Sequence, residues 1–180
     1  MATVLPIQMQ KQCCSHWCWA AVISSVTQGL TTPCGKLQQG QVVTQTFGNG
    51  VDCTGCCPDG CPDLEDSCDL PADISFALSK LQLGFSVGQA VASFGFDGIR
   101  DQLAQKRPVV AQIDFDDPPG GVHALLIYGC DDSDSLRIGD PATGETLVVS
   151  FTSFSAPETF VDSSTQVRGT WSTVYVMDGL

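Results

Sequence analysis

The stretch QKQCCSHWCWAAV, at residues 10–22, gathers residue types that can do nucleophilic chemistry. Cys18 stands where an apolar helical pattern begins, and a helix N-terminus favours the thiolate, the form of cysteine that attacks. Gln12 lies six residues earlier, and its amide could donate to an oxyanion together with the backbone N–H of Cys18. The alternative is that Cys18 is a buried structural cysteine, a common fate of this residue type.

The chain has two histidines that could take the proton of such a thiol. His16 lies two residues before Cys18 on the same loop, where it is poorly placed to face the thiol. His123 opens the apolar run HALLIYG directly after DDPPGG, and a histidine at the start of a strand can reach across a cleft. We therefore predict His123 as the partner, with an ordinary core or edge histidine as the alternative.

The third residue of such a site is a carboxylate or amide that orients the imidazole. Asp140 ends the strand-like run LRIGD, which a hairpin brings back alongside His123. Its alternative role is that of a turn-forming aspartate before proline. The aspartates of the intervening turn DDSD are less suitable, so Asp140 is the predicted third residue.

These residues, in this order, resemble the pattern of the papain-like cysteine proteases. In that family a Gln six residues before the catalytic Cys supplies the oxyanion hole and a Trp follows the Cys, matching Gln12, Cys18 and Trp19. The block HALLIYGCDDSDSLRIGDP is similar to the family's strand pair that runs from the catalytic His to its Asn or Asp partner. The chain is also similar to the compact bacterial branch, which includes plant-pathogen effector proteases and the leader-cleaving peptidases of bacteriocin exporters.

The resemblance implies an α+β papain-like fold and a single peptidase domain over residues 1–180. It implies a cysteine endopeptidase that acts on a protein or peptide through an acyl-enzyme, with no cofactor and no metal. The implied residues are the catalytic triad Cys18, His123 and Asp140, the oxyanion-hole donor Gln12, and Trp19 as a packing and substrate-binding wall. Two features depart from the plant and lysosomal enzymes: CCSHWCW replaces their Cys-Gly-Ser-Cys-Trp run, and DPATG replaces a Trp that often follows the third catalytic residue.

Two other functions stay open for the same residues. Transglutaminases also use Cys, His and Asp after a similar helix start, and they would incorporate an amine where a protease adds water. A catalytically silent, disulfide-rich binding module is the other alternative. It is disfavoured because the four residues of the enzyme pattern, Gln12, Cys18, His123 and Asp140, all occur in the expected order and spacing.

Ten cysteines are a high count, and five of them crowd into CTGCCPDGCPDLEDSC at residues 53–68. Disulfides are favoured there because a zinc site usually shows two well-separated cysteine pairs, although zinc stays the alternative. With Cys18 set aside nine cysteines remain, so at least one is unbridged, and Cys130 is the predicted thiol. The family resemblance further implies a bridge from Cys13 or Cys14 to the 53–68 segment.

Charge and hydropathy restrict the partners. A net charge of −12, from 20 acidic and 8 basic residues, argues against nucleic acid, which requires Lys and Arg at its phosphates. No run approaches the roughly 20 apolar residues of a membrane span, and the first residues lack a signal-peptide pattern. We expect a monomer without a membrane partner that is secreted or extracellular, the alternative being a cytoplasmic protein or a delivered effector.

The elements that must position these residues divide the chain into two halves. Apolar spacing predicts a helix from Cys18 to Gly29, followed by a long cross-linked loop over residues 31–69. Asp69 is predicted to cap a second helix and Asp97 a third. Five strand-like runs follow Pro108: VVAQI, HALLIYG, LRIGD, TLVVSF and TVYVM. This order predicts an α+β domain with a mainly helical half at 1–107 and an antiparallel sheet or barrel at 108–180.

Overall fold

The protein is described by a computed structural model that covers residues 2–48, 50–56, 65–83, 89–116, 121–161, 167–178 and 180. The helices are α1 (Cys18–Gly29), α2 (Gln39–Phe47), α3 (Glu65–Cys68), α4 (Ile74–Lys80), α5 (Val91–Ala104) and α6 (Phe151–Phe154). The strands are β1 (Thr3–Val4), β2 (Gln89–Ala90), β3 (Val109–Phe115), β4 (Val122–Cys130), β5 (Ser135–Asp140), β6 (Glu145–Ser150), β7 (Phe160–Val161) and β8 (Arg168–Val176). Across these ranges, no helix has both the length and the apolar character needed to traverse a bilayer.

The strands form one antiparallel sheet with the order β2-β8-β3-β4-β5-β6, while β1 pairs with β4 and β7 with β8. The five strand-like runs of the sequence all become strands, which confirms the mixed helix and antiparallel-sheet class. Closure of the sheet into a barrel stays a prediction. Within the sheet His123 faces Ile113 of β3, and Leu126 faces Gly139 of β5. The start of β4 and the end of β5 therefore reach the same edge.

Helix α1 lies in the core and begins and ends where its sequence pattern predicts. Nine of its twelve residues are buried, and it packs against β4 and α2. Its buried hydroxyls are satisfied locally, since Ser24 Oγ donates to the Leu37 carbonyl at 2.8 Å and Ser25 Oγ to the Ala21 carbonyl at 2.7 Å. A helix buried on all sides gives the residue at its start a fixed place in the molecule.

The prediction of an uninterrupted loop over residues 31–69 is wrong, because α2 lies within it. A capping box between Gln38 and Gln41 starts this helix, and Gly40 packs against the backbone of the Cys-rich segment. A Cβ at Gly40 would stand 1.9 Å from the carbonyl oxygen of Cys53. The Gly and Gln content that suggested a loop thus reflects a helix that approaches another backbone closely.

The predicted cap at Asp69 is also wrong. Helix α4 begins at Ile74, and the carboxylate that caps it belongs to Asp73, whose Oδ1 accepts from Ser75 N at 2.7 Å and Phe76 N at 3.3 Å. Capping chemistry was identified correctly, but four residues too early in the chain. Asp69 is left with a different set of partners, described below.

One further boundary differs from the sequence-based expectation. Helix α5 begins at Val91 rather than at Asp97 and is interrupted at Gly95, whose φ of 65° lies in the left-handed region. Asp97 pairs instead with Arg100, at 2.7 Å. The short strand β1 lies in the chain before Gln12.

The Cys-rich segment contains a disulfide between Cys53 and Cys68, whose Cα atoms are 5.7 Å apart. The sulfur of Cys56 lies within 4.8 Å of both of these sulfurs. Cys13 and Cys14 are disulfide-bonded as well, which favours the disulfide interpretation of the cysteine count. The predicted tether from Cys13 or Cys14 reaches into a segment whose residues 57–64 lie outside the described ranges, so it stays a prediction.

Cys130 is a buried thiol outside any disulfide, as predicted. Burial raises the pKa of this thiol, which keeps it protonated and unreactive. Cys34 is a second thiol outside the disulfides and is half-buried.

Candidate active site

A cleft of about 670 Å³ separates the start of α1 from the sheet edge where β4 begins. One wall contains Gln12, Cys18 and Trp19, together with the chain at residues 71–72. The other wall contains Phe115 and the first residues of β4, including His123. The residues singled out in the sequence thus meet across one cleft, although they come from distant parts of the chain.

Cys18 is the first residue of α1 and is half-buried. Trp17, the residue before it, makes no side-chain cap hydrogen bond, so no cap side chain competes for the N–H groups of the first turn. The positive end of the helix dipole therefore acts on the Cys18 sulfur. This placement leaves the Cys18 N–H for a developing oxyanion.

His123 and Asp140 form a buried pair at the end of the sheet. His123 Nε2 lies 2.8 Å from Asp140 Oδ1, and the two side chains are 9% and 8% exposed. The same Oδ1 accepts from the Ala142 N–H at 2.9 Å, which fixes the carboxylate in its turn. Since Asp140 takes Nε2, the nitrogen left to face the thiol is Nδ1.

The Cys18 thiol interacts with His123, and this interaction raises the proton affinity of the ring. Burial lowers the pKa of His123, but it is outweighed by the hydrogen bonds with Asp140 and Cys18 and by the charges of both, which raise the pKa to about 9. The imidazole is therefore protonated at neutral pH. A protonated ring beside the sulfur favours a thiolate–imidazolium pair.

Two phenylalanine rings enclose the imidazole of His123. The Phe115 ring lies stacked with its centroid 6.4 Å away, and the Phe160 ring lies 5.9 Å away at an angle of 35°. They exclude water from the His123–Asp140 pair, and their faces can stabilise a cationic ring. Both were missed in the sequence, where DPATG stands in place of the family's Trp. No local motif indicates them, because they lie on β3 and β7.

Gln12 lies in the cleft but uses its amide on its own loop. Its Nε2 donates to the carbonyls of Cys14, at 3.0 Å, and Ser15, at 2.7 Å, and its backbone N–H donates to Pro141 at 2.7 Å. Among the described residues no donor reaches its buried Oε1. An oxyanion would have to replace one of the two carbonyl acceptors, so the predicted oxyanion-hole role stays a prediction.

Trp19 is a buried wall behind the nucleophile. Only 1% of its surface is exposed, its Nε1 donates to the Leu70 carbonyl at 3.2 Å, and its ring meets Phe47 edge-on at 6.1 Å. The packing part of its expected role fits this position. Direct substrate binding by Trp19 stays a prediction, since little of the indole reaches the cleft.

His16 pairs with Asp69 rather than with Cys18, in agreement with the prediction that it is not the partner of the thiol. Its Nδ1 lies 3.1 Å from Asp69 Oδ2, and its backbone N–H donates to Asp69 Oδ1 at 2.7 Å. No local pattern indicates this partnership, because the two residues are 53 positions apart.

A thiol at a helix start, facing a buried histidine–aspartate pair across a cleft in an α+β protein, is the arrangement expected of a papain-like cysteine protease. The family model described as papain-like cysteine protease AvrRpt2 matches residues 1–158, and the chain belongs to that family. The match confirms the resemblance and shows that the protein is a cysteine protease. No curated protein matches the chain. The matched stretch includes Gln12, Cys18, His123 and Asp140.

Proposed function

We propose that the protein is an endopeptidase that cleaves peptide bonds through a Cys18–His123–Asp140 triad and an acyl-enzyme intermediate. The observation that carries the proposal is the buried His123–Asp140 pair in the same cleft as a thiol at the start of α1. The substrate is a protein or peptide, as the family implies.

In the first half-reaction the proton of the Cys18 thiol rests on His123. The thiolate attacks the carbonyl carbon of the scissile bond, and the carbonyl oxygen becomes an oxyanion that accepts from the Cys18 N–H. His123 then gives its proton to the leaving nitrogen as the C–N bond breaks. The products are a free amine and a thioester on Cys18.

In the second half-reaction His123 takes a proton from water, and the hydroxide that forms attacks the thioester carbonyl. The C–S bond breaks, the acid product leaves, and Cys18 returns to the thiolate with the proton on His123. Asp140 keeps Nδ1 directed at the sulfur through its bond to Nε2, and it stabilises the imidazolium in both halves.

Gln12 is proposed as the second oxyanion donor. Its amide already lies in the cleft, but both of its N–H groups are engaged with carbonyls of the loop before Cys18. Donation to an oxyanion requires the release of one of these bonds when substrate binds. Trp19 is proposed to support the substrate from behind the nucleophile.

We further propose that the protein acts as a monomer in an oxidising compartment, secreted or extracellular. The support is its disulfide content: Cys53–Cys68 is bridged, and Cys13 and Cys14 are also in disulfides. Such bonds persist outside reducing cell compartments.

The proposed chemistry is tested by replacing Cys18 with Ala and Cys34, a thiol outside the cleft, with Ser as the matched control. The wild type and C34S should hydrolyse a peptide library and react with a thiol-directed epoxide, whereas C18A should do neither. Hydrolysis by C18A at the wild-type rate would refute the assignment. Transfer of the acyl group to an added amine, without free carboxyl ends in the product, would identify an acyltransferase instead.

A further inference from the structure

A set of hydrogen bonds joins the loop before the nucleophile to one crossing segment of the chain. We call residues 13–17 the nucleophile loop and residues 68–72 the bracing segment. Trp17 Nε1 donates to the Cys68 carbonyl at 2.8 Å, and just beyond the loop Trp19 Nε1 donates to the Leu70 carbonyl. The carbonyls of Cys68 and Leu70 thus hold the two indoles that flank Cys18.

Asp69 lies between those two carbonyls and adds the charged part of the contact. Its Oδ1 accepts from the His16 backbone N–H at 2.7 Å, and its Oδ2 accepts from Ser15 Oγ and lies 3.1 Å from His16 Nδ1. The side chain is 13% exposed. Burial raises the pKa of this carboxyl, but the bonds from Ser15 and His16 outweigh it and lower the pKa, so Asp69 is ionised at neutral pH.

We propose that Asp69 is a positioning residue: by anchoring the Ser15 hydroxyl and the His16 backbone N–H it fixes where α1 begins and holds the Cys18 sulfur against His123. The proposal rests on the proposed function. Its geometric basis is that Trp17 makes no side-chain cap bond, so the approach of the chain to α1 is set from outside the helix. An ionised acceptor that takes a backbone N–H two residues before the nucleophile supplies such an anchor.

The role of Asp69 predicts a graded response to substitution. In D69A the His16 N–H and the Ser15 hydroxyl lose their acceptor together. In D69N an amide oxygen can still accept from the His16 N–H, but the negative charge is absent. In H16A the backbone N–H remains, so the anchor persists although the imidazole is lost.

The direct test measures alkylation of Cys18 by iodoacetamide, resolved by peptide mass mapping, with Cys34 in the same molecule as the reference thiol. At neutral pH D69A should slow Cys18 alkylation and kcat by about 10-fold, because a nucleophile displaced from its base loses both ionisation and alignment. D69N should lie between D69A and the wild type, and H16A should stay close to the wild type. The deficit of D69A should shrink as the pH rises, because the displaced thiol then ionises without the help of His123.

Asp131 provides a matched control, because it braces a turn in the same manner away from the cleft. Its Oδ1 accepts from Ser133 N, Ser133 Oγ and Ser135 N at 2.8, 2.8 and 3.0 Å, in the turn after β4. His123 stands at the opposite end of that strand. D131A should lower thermal stability and leave the alkylation of Cys18 unchanged.

The outcomes separate this proposal from the function on which it rests. If Cys18 in D69A and D69N reacts as in the wild type, or if D131A slows it equally, Asp69 is not a positioning residue. If Cys18 of the wild type reacts no faster than Cys34 and no peptide is cleaved, the proposed function fails instead. Alkylation of the buried Cys130 reports unfolding, and if D69A unfolds the comparison of D69N with the wild type decides.

Discussion

The two walls of the cleft are held by different kinds of interaction. His123 and Asp140 stand on neighbouring strands, and antiparallel pairing of β4 with β3 and β5 sets their register, with one shift in the β4–β5 pairing between Ile127 and Gly129. The Cys18 wall consists of a loop and a crossing segment that are joined by side-chain hydrogen bonds and anchored by the Cys53–Cys68 disulfide. A wall built from backbone pairing tolerates most single substitutions, whereas a wall built from side chains can be weakened one residue at a time.

The largest effect is expected on the sheet wall, from D140N. Asparagine keeps the shape but removes the charge that stabilises the imidazolium, so kcat/KM should fall by about 100-fold or more. The hydrogen bond to Asp140 is the strongest influence that raises the His123 pKa to about 9. The protonated ring is lost as pH rises through this value, so the alkaline limb of the wild-type profile should lie near pH 9 and that of D140N at lower pH. Pre-steady-state and pH-rate measurements check this, with D101N on the exposed face of α5 as the control.

A limb that does not move in D140N would show that Asp140 is only a turn residue. It would also mean that Asp140 on β5 contributes nothing to His123 on β4, so the sheet wall would not act through this pair.

On the loop wall the largest effect should come from G40A. The added Cβ would stand 1.9 Å from the Cys53 carbonyl oxygen, which is backbone and cannot turn aside. Separation of α2 from the Cys-rich segment should cost about 3 kcal/mol of unfolding free energy. Thermal and urea unfolding measure this cost. The control is G55A, since nothing lies within 4 Å of a Cβ at Gly55; equal stability of the two variants would mean that the wall is not packed at this point.

An intermediate effect is expected from F160L, which keeps a buried apolar side chain, although a smaller one, and removes the ring beside His123. Loss of the aromatic contact should lower kcat by about 3- to 10-fold with little change in KM. If Phe160 acts through the His123–Asp140 bond, the loss should be much smaller in a D140N background. F154L is the control, because Phe154 packs on Trp171 at 5.0 Å instead. If F160L lowers kcat equally in the wild type and in D140N, Phe160 has a purely structural role.

The smallest effect is expected from W17F. Trp17 is fully buried, and its Nε1 is a donor to the Cys68 carbonyl. Phenylalanine leaves that carbonyl without this donor, which should cost about 1–2 kcal/mol of stability. The same substitution at Trp171, whose Nε1 donates to the Thr173 carbonyl on β8, is the matched control for loss of an indole. W17F should slow Cys18 alkylation slightly, and W171F should not.

The reactive residues were predictable because their types are scarce in this chain. With two histidines available, and one of them beside Cys18 on the same loop, His123 was the remaining choice. Asp140 followed from a hairpin whose turn and strands have clear sequence signals. The helix at Cys18 was equally clear, because its apolar residues recur at helical spacing.

The supports of the site were not predictable in the same way. Asp69 was mistaken for a helix cap, because Asp73 has the same capping chemistry and local sequence does not choose between them. Phe115 and Phe160 meet His123 only after the strands pair, so their contact depends on register and not on spacing along the chain. Helix α2 is not evident from the sequence because Gly40, which lets it approach Cys53, is a residue type that is also typical of loops.

Because the enzyme has both a catalytic thiol and the Cys53–Cys68 bond, a thiol reductant should affect its activity in two opposite ways. Reduction regenerates Cys18 from a mixed disulfide or a sulfenic acid and so restores activity. Stronger reduction opens the bridge at Cys68, whose carbonyl accepts from the Trp17 indole and which precedes Asp69. Activity should therefore pass through a maximum as the ratio of reduced to oxidised glutathione increases. The protease would be active only over a limited range of this ratio. Oxidation of Cys18 would set the oxidising limit of the range, and reduction of the Cys53–Cys68 bond would set the reducing limit.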